Sequence, residues 1–243
     1  MMKKLHIVLC IFLLLALAPQ TSAWAGKTHR DVVQVAYQEL PENVKTLLNY
    51  SKIYDGSTWP DKYRTEPDPY GQTFPSTGHI QPNSRERAAY WLAQAENYFK
   101  DNKYDNASLA LGIAAHYIAD SVTLVHNISW TDLHSDYEDQ GAQLTPAEPS
   151  GIENFNLEQK LTEYHSGAQA KWQSWLGTRD QAIVQEGVNF AASYTYNAWC
   201  QVLGVVPTIL PEQTGFPIDF KFVAIAAIVV IVILILVGRK RDW

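Results

Sequence analysis

Apolar residues recur every three or four positions along most of the middle of this chain, a spacing that places them on one face of an α-helix. The pattern predicts helices over residues 28–48, 84–99, 107–124, 156–176 and 179–203. We find no segment with the alternation of apolar and polar residues that is typical of strands. The sequence therefore predicts an all-α domain built as a multi-helix bundle.

One predicted helix is apolar on nearly every side. Residues 107–124 are rich in Ala, Leu and Ile, and Asp105 or Asn106 would serve as the N-cap. A helix that is hydrophobic all round is expected at the centre of a bundle. Its polar members His116 and Asp120 would then be buried.

Residues 49–82 interrupt the helical pattern. They hold five of the 12 prolines, together with Gly, Asp and Tyr, and no helical spacing of apolar residues. A loop of this length within one domain is usually either functional or disordered. The sequence leaves both possibilities open at this point.

The N-terminus has the layout of a secretory signal. Lys3 and Lys4 precede an apolar run over residues 7–17, which is followed by small residues up to Ala23. We predict a signal peptide over residues 1–23, with cleavage after Ala25 and an uncleaved N-terminal anchor as the alternatives. Cleavage would remove Cys10 and leave Cys200 as a single cysteine, so no intramolecular disulfide is expected.

The C-terminus predicts a membrane anchor. Residues 222–237 carry no charge and are followed by Arg239, Lys240 and Arg241, a basic cluster typical of the cytoplasmic side. Residues 218–238 would span the membrane once, with 206–217 as a linker and 239–243 as a cytoplasmic tail. The working domain, residues 24–205, would then lie outside the cytoplasm at the cell membrane. The alternative is a buried core helix.

The charge of the central part argues against a protein that tracks along a polyanion. The whole chain has a net charge of -6. Residues 24–217 hold 13 Lys and Arg against 23 Asp and Glu. An acidic surface disfavours long-range attraction of nucleic acid, whereas bound metal ions would neutralise acidic groups locally.

Histidines and carboxylates occur together at spacings suited to metal binding. His116 and Asp120 are four residues apart on the central helix, and His134 and Glu138 repeat that spacing. His126 follows Asp120 by six residues, so on a continued helix it would point about 120° away and suit a second ion. Asp61 and His79 lie in the long loop. The whole set is strong, although any one pair alone would be weak.

A burial argument leads to the same interpretation. An unpaired buried carboxylate costs several kcal/mol, and a divalent cation removes that cost. The alternative for a single pair is a neutral core histidine that is hydrogen-bonded to the aspartate. The other ligand-type residues make that alternative the weaker one here.

Processing after Ala23 would create a further ligand. Trp24 would become the new N-terminus, with His29 five positions later. A free α-amine has a pKa of about 7.7–8.0 and becomes a nitrogen ligand when a metal displaces its proton. The amine and carbonyl of Trp24 could chelate an ion that His29 also binds.

These residues resemble the zinc-dependent phospholipase C and single-strand nuclease superfamily, which consists of secreted all-α enzymes with three clustered zinc ions. The spacing from Trp24 to His29 is similar to that of the nucleases, and Trp59-Pro60-Asp61 resembles a family segment that carries an aspartate ligand. The remaining ligands of the family match His79, His116, Asp120, His126, His134 and Glu138.

The resemblance implies a multi-zinc cluster in the core of the bundle. One Zn²⁺ would be bound by Asp61, His79, His116 and Asp120. A second would be bound by Trp24, His29 and the bridging Asp120, and a third by His126, His134 and Glu138. In the family's mechanism a water between the first two ions attacks the phosphate, and Asp61 would act as a catalytic residue that orients or deprotonates it.

The implied activity is hydrolysis of phosphate esters by a membrane-tethered phosphodiesterase. A phospholipase C-like activity is favoured, since the anchor would place the site near lipid and the domain is acidic. Phospholipid or another phosphodiester would be the substrate, and nucleic acid would be bound only as a substrate. The alternatives are a single-strand nuclease or 3'-nucleotidase, and a non-catalytic binding module that is stabilised by metal.

Overall fold

Helices form the whole regular structure of the residues that the computed structural model describes, 24–128 and 131–208. These residues fall within the first of two units into which the chain divides. The α-helices are α1 (Trp24–Gln38), α2 (Glu42–Lys45), α3 (Tyr50–Gly56), α4 (Trp59–Lys62), α5 (Asn83–Lys100), α6 (Tyr104–Ser121), α7 (His134–Ala142), α8 (Leu157–Thr178) and α9 (Gln181–Leu203). Two 3-10 turns, Ser76–His79 and Leu124–His126, complete the set. The predicted all-α class is confirmed for these residues.

Helix α6 is the central buried helix, as its composition predicts. Every residue from Ala110 to Ser121 is buried. Helix α5 packs along it most extensively, followed by α3, and α1 and α9 also contact it. The burial of so many apolar side chains fixes α6 in place, so His116 and Asp120 are held rigidly.

Several helix boundaries differ from the prediction. The predicted helix over residues 28–48 is broken at Pro41, which cannot donate a backbone hydrogen bond, so α1 ends at Gln38 and the short α2 follows. Lys103, rather than Asp105 or Asn106, lies at the N-cap of α6. Asn156, where the predicted helix over residues 156–176 starts, is the N-cap of α8, and its side chain accepts a hydrogen bond from the N–H of Gln159 at 2.9 Å.

The long loop contains more structure than its composition indicates. Helices α3 and α4 and the first 3-10 turn lie within residues 49–82. Elements of four to seven residues are too short to show an apolar period, which is why the pattern did not reveal them. The ordered arrangement favours the functional alternative for this loop over disorder.

The predicted membrane elements fall largely outside the part of the chain that the structure describes. This applies to the signal peptide over residues 1–23, the membrane span over 218–238, the tail over 239–243, and the linker beyond residue 208. Within residues 24–128 and 131–208, no helix combines the length and the apolar character needed to cross a bilayer.

Candidate metal centre

Helix α6 presents His116 and Asp120 on one face, where both side chains are fully buried. His116 is 0% and Asp120 1% exposed. The two residues are one helical turn apart, and Nε2 of His116 lies 3.2 Å from Oδ2 of Asp120. The other elements place their histidine and carboxylate side chains around this pair.

Asp120 contacts four imidazoles that come from four different elements. Its Oδ2 is 2.8 Å from Nδ1 of His79, on the first 3-10 turn, and also contacts His116. Its Oδ1 is 3.2 Å from Nδ1 of His126, on the second 3-10 turn, and 3.5 Å from Nε2 of His29, on α1. A carboxylate surrounded in this way is suited to bridge two cations.

A second carboxylate, Glu138, contacts two imidazoles next to this cluster. Oε1 of Glu138 is 2.9 Å from Nε2 of His134, one turn earlier on α7. The same oxygen is 3.5 Å from Nε2 of His126. His126 therefore uses one ring nitrogen toward Asp120 and the other toward Glu138, so it lies between the two carboxylates.

Asp61 enters the cluster from the short helix α4, which Pro60 initiates. One carboxylate oxygen, Oδ1, pairs with the guanidinium of Arg64, just beyond the end of α4. The other, Oδ2, is buried and has no hydrogen-bond partner. The carboxylate thus keeps one oxygen available on the inner side of the cluster.

The ligand atoms fall into three groups in which all atoms lie within 4.8 Å of one another. These groups are Asp61 with His79 and His116, His29 with His116 and Asp120, and His126 with His134 and Glu138. The third group has the predicted membership. The first two groups share His116, whereas the prediction made Asp120 the shared residue, although Asp120 also contacts His79 and His116.

Trp24 begins helix α1, the helix that also carries His29. Binding of a metal by its amine and carbonyl depends on cleavage after Ala23. The role of Trp24 as a ligand therefore stays a prediction.

The donor set fits zinc. Buried polar atoms normally have partners, but Nδ1 of His29, Oδ2 of Asp61 and Nε2 of His79 have none among the described residues. Mixed imidazole and carboxylate ligands are those that zinc accepts. Bound ions would satisfy these orphaned atoms.

The electrostatics keep Asp120 charged and His29 neutral. Burial opposes ionisation of Asp120, but His116 and the imidazoles around it outweigh burial and hold the pKa of Asp120 well below its usual range. Burial, with the neighbouring His116, lowers the pKa of His29 to about 3. Charged carboxylates and a neutral imidazole are the protonation states that bind a metal ion.

The opposite shift applies to His116. Burial alone would lower its pKa, but the Asp120 and Asp61 carboxylates dominate and raise the pKa of His116 to about 9. In the metal-free protein this ring is therefore a cationic imidazolium at neutral pH, with a hydrogen on each nitrogen. Binding of a cation at its Nε2 has to release the proton on that nitrogen.

A main-chain carbonyl fixes the orientation of His116. Its Nδ1 donates a hydrogen bond to the carbonyl oxygen of Ser57, at 2.8 Å. Because Nδ1 carries the hydrogen, the lone pair of the neutral ring lies on Nε2, which faces the cluster. Partners of this kind set the tautomer of ligating histidines. Sequence analysis did not identify Ser57, and a carbonyl leaves no signal in the sequence.

The cluster opens onto a cleft of about 450 Å³. Besides the proposed ligands, its walls carry Arg64, Ile80 and the hydroxyl side chains of Ser76, Thr77 and Ser135. Sequence analysis missed Arg64. Its position three residues after Asp61, close enough in sequence for the two charged side chains to pair, is the signal that could have identified it.

The comparisons with known proteins place this geometry in a family. Comparison with the curated proteins found no match. Among solved structures the chain is similar to the alpha-toxin of Clostridium perfringens from an avian strain, with a TM-score of 0.55 and 18% identity over 76% of this chain and 65% of that chain. It is also similar to the alpha toxin of Clostridium absonum, with a TM-score of 0.55 and 17% identity over 74% and 64%.

This chain thus spans slightly less than two thirds of the length of those toxin chains, and at such low identity the likeness concerns the fold. The sequence profile of a family described as zinc dependent phospholipase C matches residues 28–179. That range includes every proposed ligand except Trp24. The chain belongs to the zinc dependent phospholipase C family.

Proposed function

We propose that this protein is a zinc-dependent phosphodiesterase with phospholipase C-like activity. The observation that carries the proposal is the single buried cluster in which Asp120 contacts four imidazoles, with orphaned ligand atoms, at the base of an open cleft. A closed structural metal site would not need such a cleft, so an open site favours catalysis over a non-catalytic binding module.

The chain's own residues would hold the metal and position the substrate. His29, His79, His116, His126 and His134 would bind zinc together with the carboxylates of Asp61, Asp120 and Glu138, and with the amine of Trp24 after processing. Zinc, when bound, supplies Lewis-acid stabilisation of the charge on the phosphoryl group and lowers the pKa of a water. We assign three ions to the three groups of ligand atoms.

Asp61 and Arg64 would act on the reacting phosphate. Burial opposes ionisation of Asp61, but His116 and His29 outweigh it and lower its pKa, so the carboxylate is charged and can orient a water or accept its proton. The guanidinium of Arg64 lines the cleft beside Asp61 and is suited to bind phosphate oxygens.

The charge of the cleft supports a phospholipid substrate over a polynucleotide. Arg64 is the only Lys or Arg among the described residues that line it. Binding of a nucleic acid strand normally requires several cationic contacts along the backbone. One guanidinium beside a metal cluster instead suits the single phosphate of a lipid headgroup.

Turnover assays separate the candidate activities. We expect the zinc-loaded protein to hydrolyse phosphatidylcholine to diacylglycerol and phosphocholine, and a chelator to abolish that activity. Single-stranded DNA and a 3'-nucleotide should be cleaved much more slowly. Cleavage of nucleic acid alone would replace the proposal with the nuclease alternative. Absence of turnover on all three substrates, with zinc bound, would favour the non-catalytic binding module.

We further propose that the domain is exported and tethered to the membrane by residues 218–238. The charged and apolar pattern at each end of the chain supports this proposal. The N-terminus of the exported protein should be Trp24 by mass spectrometry, and truncation after residue 217 should release the protein from the membrane fraction. A mature chain that begins at Gly26 would refute the role of Trp24 in metal binding.

A further inference from the structure

A second cavity lies apart from the metal cleft and shares no lining residue with it. It has a volume of about 180 Å³ and lies between the loop over residues 63–75, helix α5 and the start of α6. Drug-sized ligands occupy pockets of roughly 300–1,000 Å³, so this cavity suits a small ligand or one chemical group. Neither the proposed ligands nor the phosphate-binding residues use it.

Aromatic rings form most of its walls. The rings of Trp59 and Tyr70 lie on one side, with their centroids 6.1 Å apart. On the other side, α5 contributes Tyr90, Trp91 and Tyr98, and the rings of Tyr90 and Trp91 meet edge to face at 5.4 Å. Tyr70 is 67% and Tyr90 53% exposed, so two large rings flank the cavity without core packing of their own.

Within the part of the chain that the structure describes, the one charged group in the lining is the carboxylate of Asp68, which is only 6% exposed. Its Oδ1 accepts hydrogen bonds from the backbone N–H groups of Tyr70, at 2.9 Å, and Gln72, at 2.8 Å. These bonds hold the carboxylate in place within a tight turn that the N–H of Gly71 closes by donating to the carbonyl of Asp68 at 2.9 Å.

Asp68 differs from the other buried carboxylates of the described residues. Asp120 and Glu138 both contact imidazoles, whereas no Lys, Arg or His in residues 24–128 and 131–208 forms an ion pair with Asp68. Among the described residues that line the cavity there is no Lys or Arg, and apart from the aromatic rings the other polar side chains are the neutral amides of Gln72, Gln94 and Asn106. A buried carboxylate normally has a positively charged partner. Since no described residue supplies one to Asp68, a cationic ligand can do so.

We propose that this cavity binds a small organic cation, such as a quaternary ammonium or a protonated amine. The cation would lie against the faces of Trp59, Tyr70 and Trp91, with its charge directed toward Asp68. Aromatic faces attract such cations through their quadrupole, and the attraction grows when water is excluded. The carboxylate adds a charge preference that an apolar cavity would not have.

A titration with tetramethylammonium chloride tests this site directly. The full-length protein with its metal bound is titrated at constant ionic strength, with sodium chloride as the reference salt. Calorimetry and tryptophan fluorescence should show saturable binding with a Kd of about 1 mM, because Trp59 and Trp91 line the cavity. No phosphate ester is present, so the result does not depend on hydrolysis at the metal centre.

Matched variants identify the groups responsible. Asp68→Asn keeps the oxygen that accepts both backbone hydrogen bonds and removes the charge, so binding should weaken about tenfold with the Tm unchanged. Tyr70→Leu, at an exposed ring, should also weaken binding several-fold. Glu66→Gln removes an exposed charge from the same loop and should bind like the parent.

Three results would overturn the proposal. They are a titration without saturation, an Asp68→Asn variant that binds as tightly as the parent, and tight binding of a neutral sugar that is insensitive to Asp68→Asn. The last result would indicate that stacking and the neutral amides, rather than charge, select the ligand.

Discussion

Replacement of Asp120 by Asn is expected to remove bound zinc and hydrolytic activity together. Asp120 is 1% exposed and contacts the imidazoles of His29, His79, His116 and His126. Asn has nearly the same shape but lacks the negative charge and one ligand oxygen, so it cannot bridge two cations. We expect most of the zinc to be lost and kcat/KM for a phosphodiester to fall by at least about 10³-fold.

Elemental analysis and turnover have to be measured on the same preparation of the Asp120→Asn variant. Asp101→Asn is the control, since Asp101 is an exposed residue at the end of α5 whose one ion pair with a described residue is the pair with Lys103. The control should retain the zinc content and activity of the parent. A variant at Asp120 that kept its full zinc content would contradict the bridging role, and one that lost zinc but kept its activity would contradict the metal-dependent mechanism.

Helix α6 and the burial of His116 and Asp120 could be predicted because period and burial depend on local sequence. An apolar segment that carries His116 and Asp120 one turn apart can satisfy its own burial only in the centre of a bundle, with partners for both side chains. The structure has this arrangement. The four-residue spacing of His134 and Glu138 predicted that these two side chains lie on one helix face, and they are in contact.

The prediction for His126 assumed that helix α6 continues past Asp120 as far as this residue, which it does not. The spacing predicted that His126 would point away from Asp120 on a continued helix and suit a second ion, and the resemblance grouped it with His134 and Glu138. Helix α6 instead ends at Ser121, and His126 lies on the next 3-10 turn. Its ring reaches both carboxylates, because the turn directs the chain back toward Asp120. The structure brings His126 together with His134 and Glu138, but sequence spacing could not show the turn that does so.

The side-chain directions in the long loop, residues 49–82, could not be predicted from the sequence. The loop was expected to be functional or disordered, and it divides between two cavities: Asp61 and His79 reach the metal cleft, while Asp68 and Tyr70 line the aromatic cavity. Which side chain points to which cavity depends on turns that are closed by backbone hydrogen bonds. These bonds have no apolar period and so leave no pattern along the chain.

Gly112→Ala is expected to lower the free energy of unfolding by about 3 kcal/mol, which corresponds to a fall in Tm of about 6–12 °C. Helices α3 and α6 approach each other so closely that a Cβ at Gly112 would lie 2.1 Å from the backbone oxygen of Ile53 and 3.0 Å from Cα of Gly56. Both obstacles are main-chain atoms, so the helices have to separate. Thermal unfolding followed by circular dichroism measures the loss.

The control for this substitution is Gly167→Ala in α8, where a Cβ would meet no atom within 4 Å. In an open helical position Ala is favoured over Gly by about 1 kcal/mol, so this variant should melt at the same temperature as the parent or higher. Equal melting temperatures for the parent and Gly112→Ala would show that the helices can separate without cost.

The same close contact also matters for the metal centre. Ser57 directly follows α3, and its carbonyl accepts the hydrogen bond from Nδ1 of His116, one turn beyond Gly112 on α6. Separation of the helices would lengthen that bond and release the imidazole from its fixed tautomer. Loss of such a partner lowers metal affinity by about tenfold or more. Gly112→Ala should therefore weaken zinc binding in competition with a chelator even at temperatures where the variant is fully folded, whereas Gly167→Ala should bind zinc as the parent does.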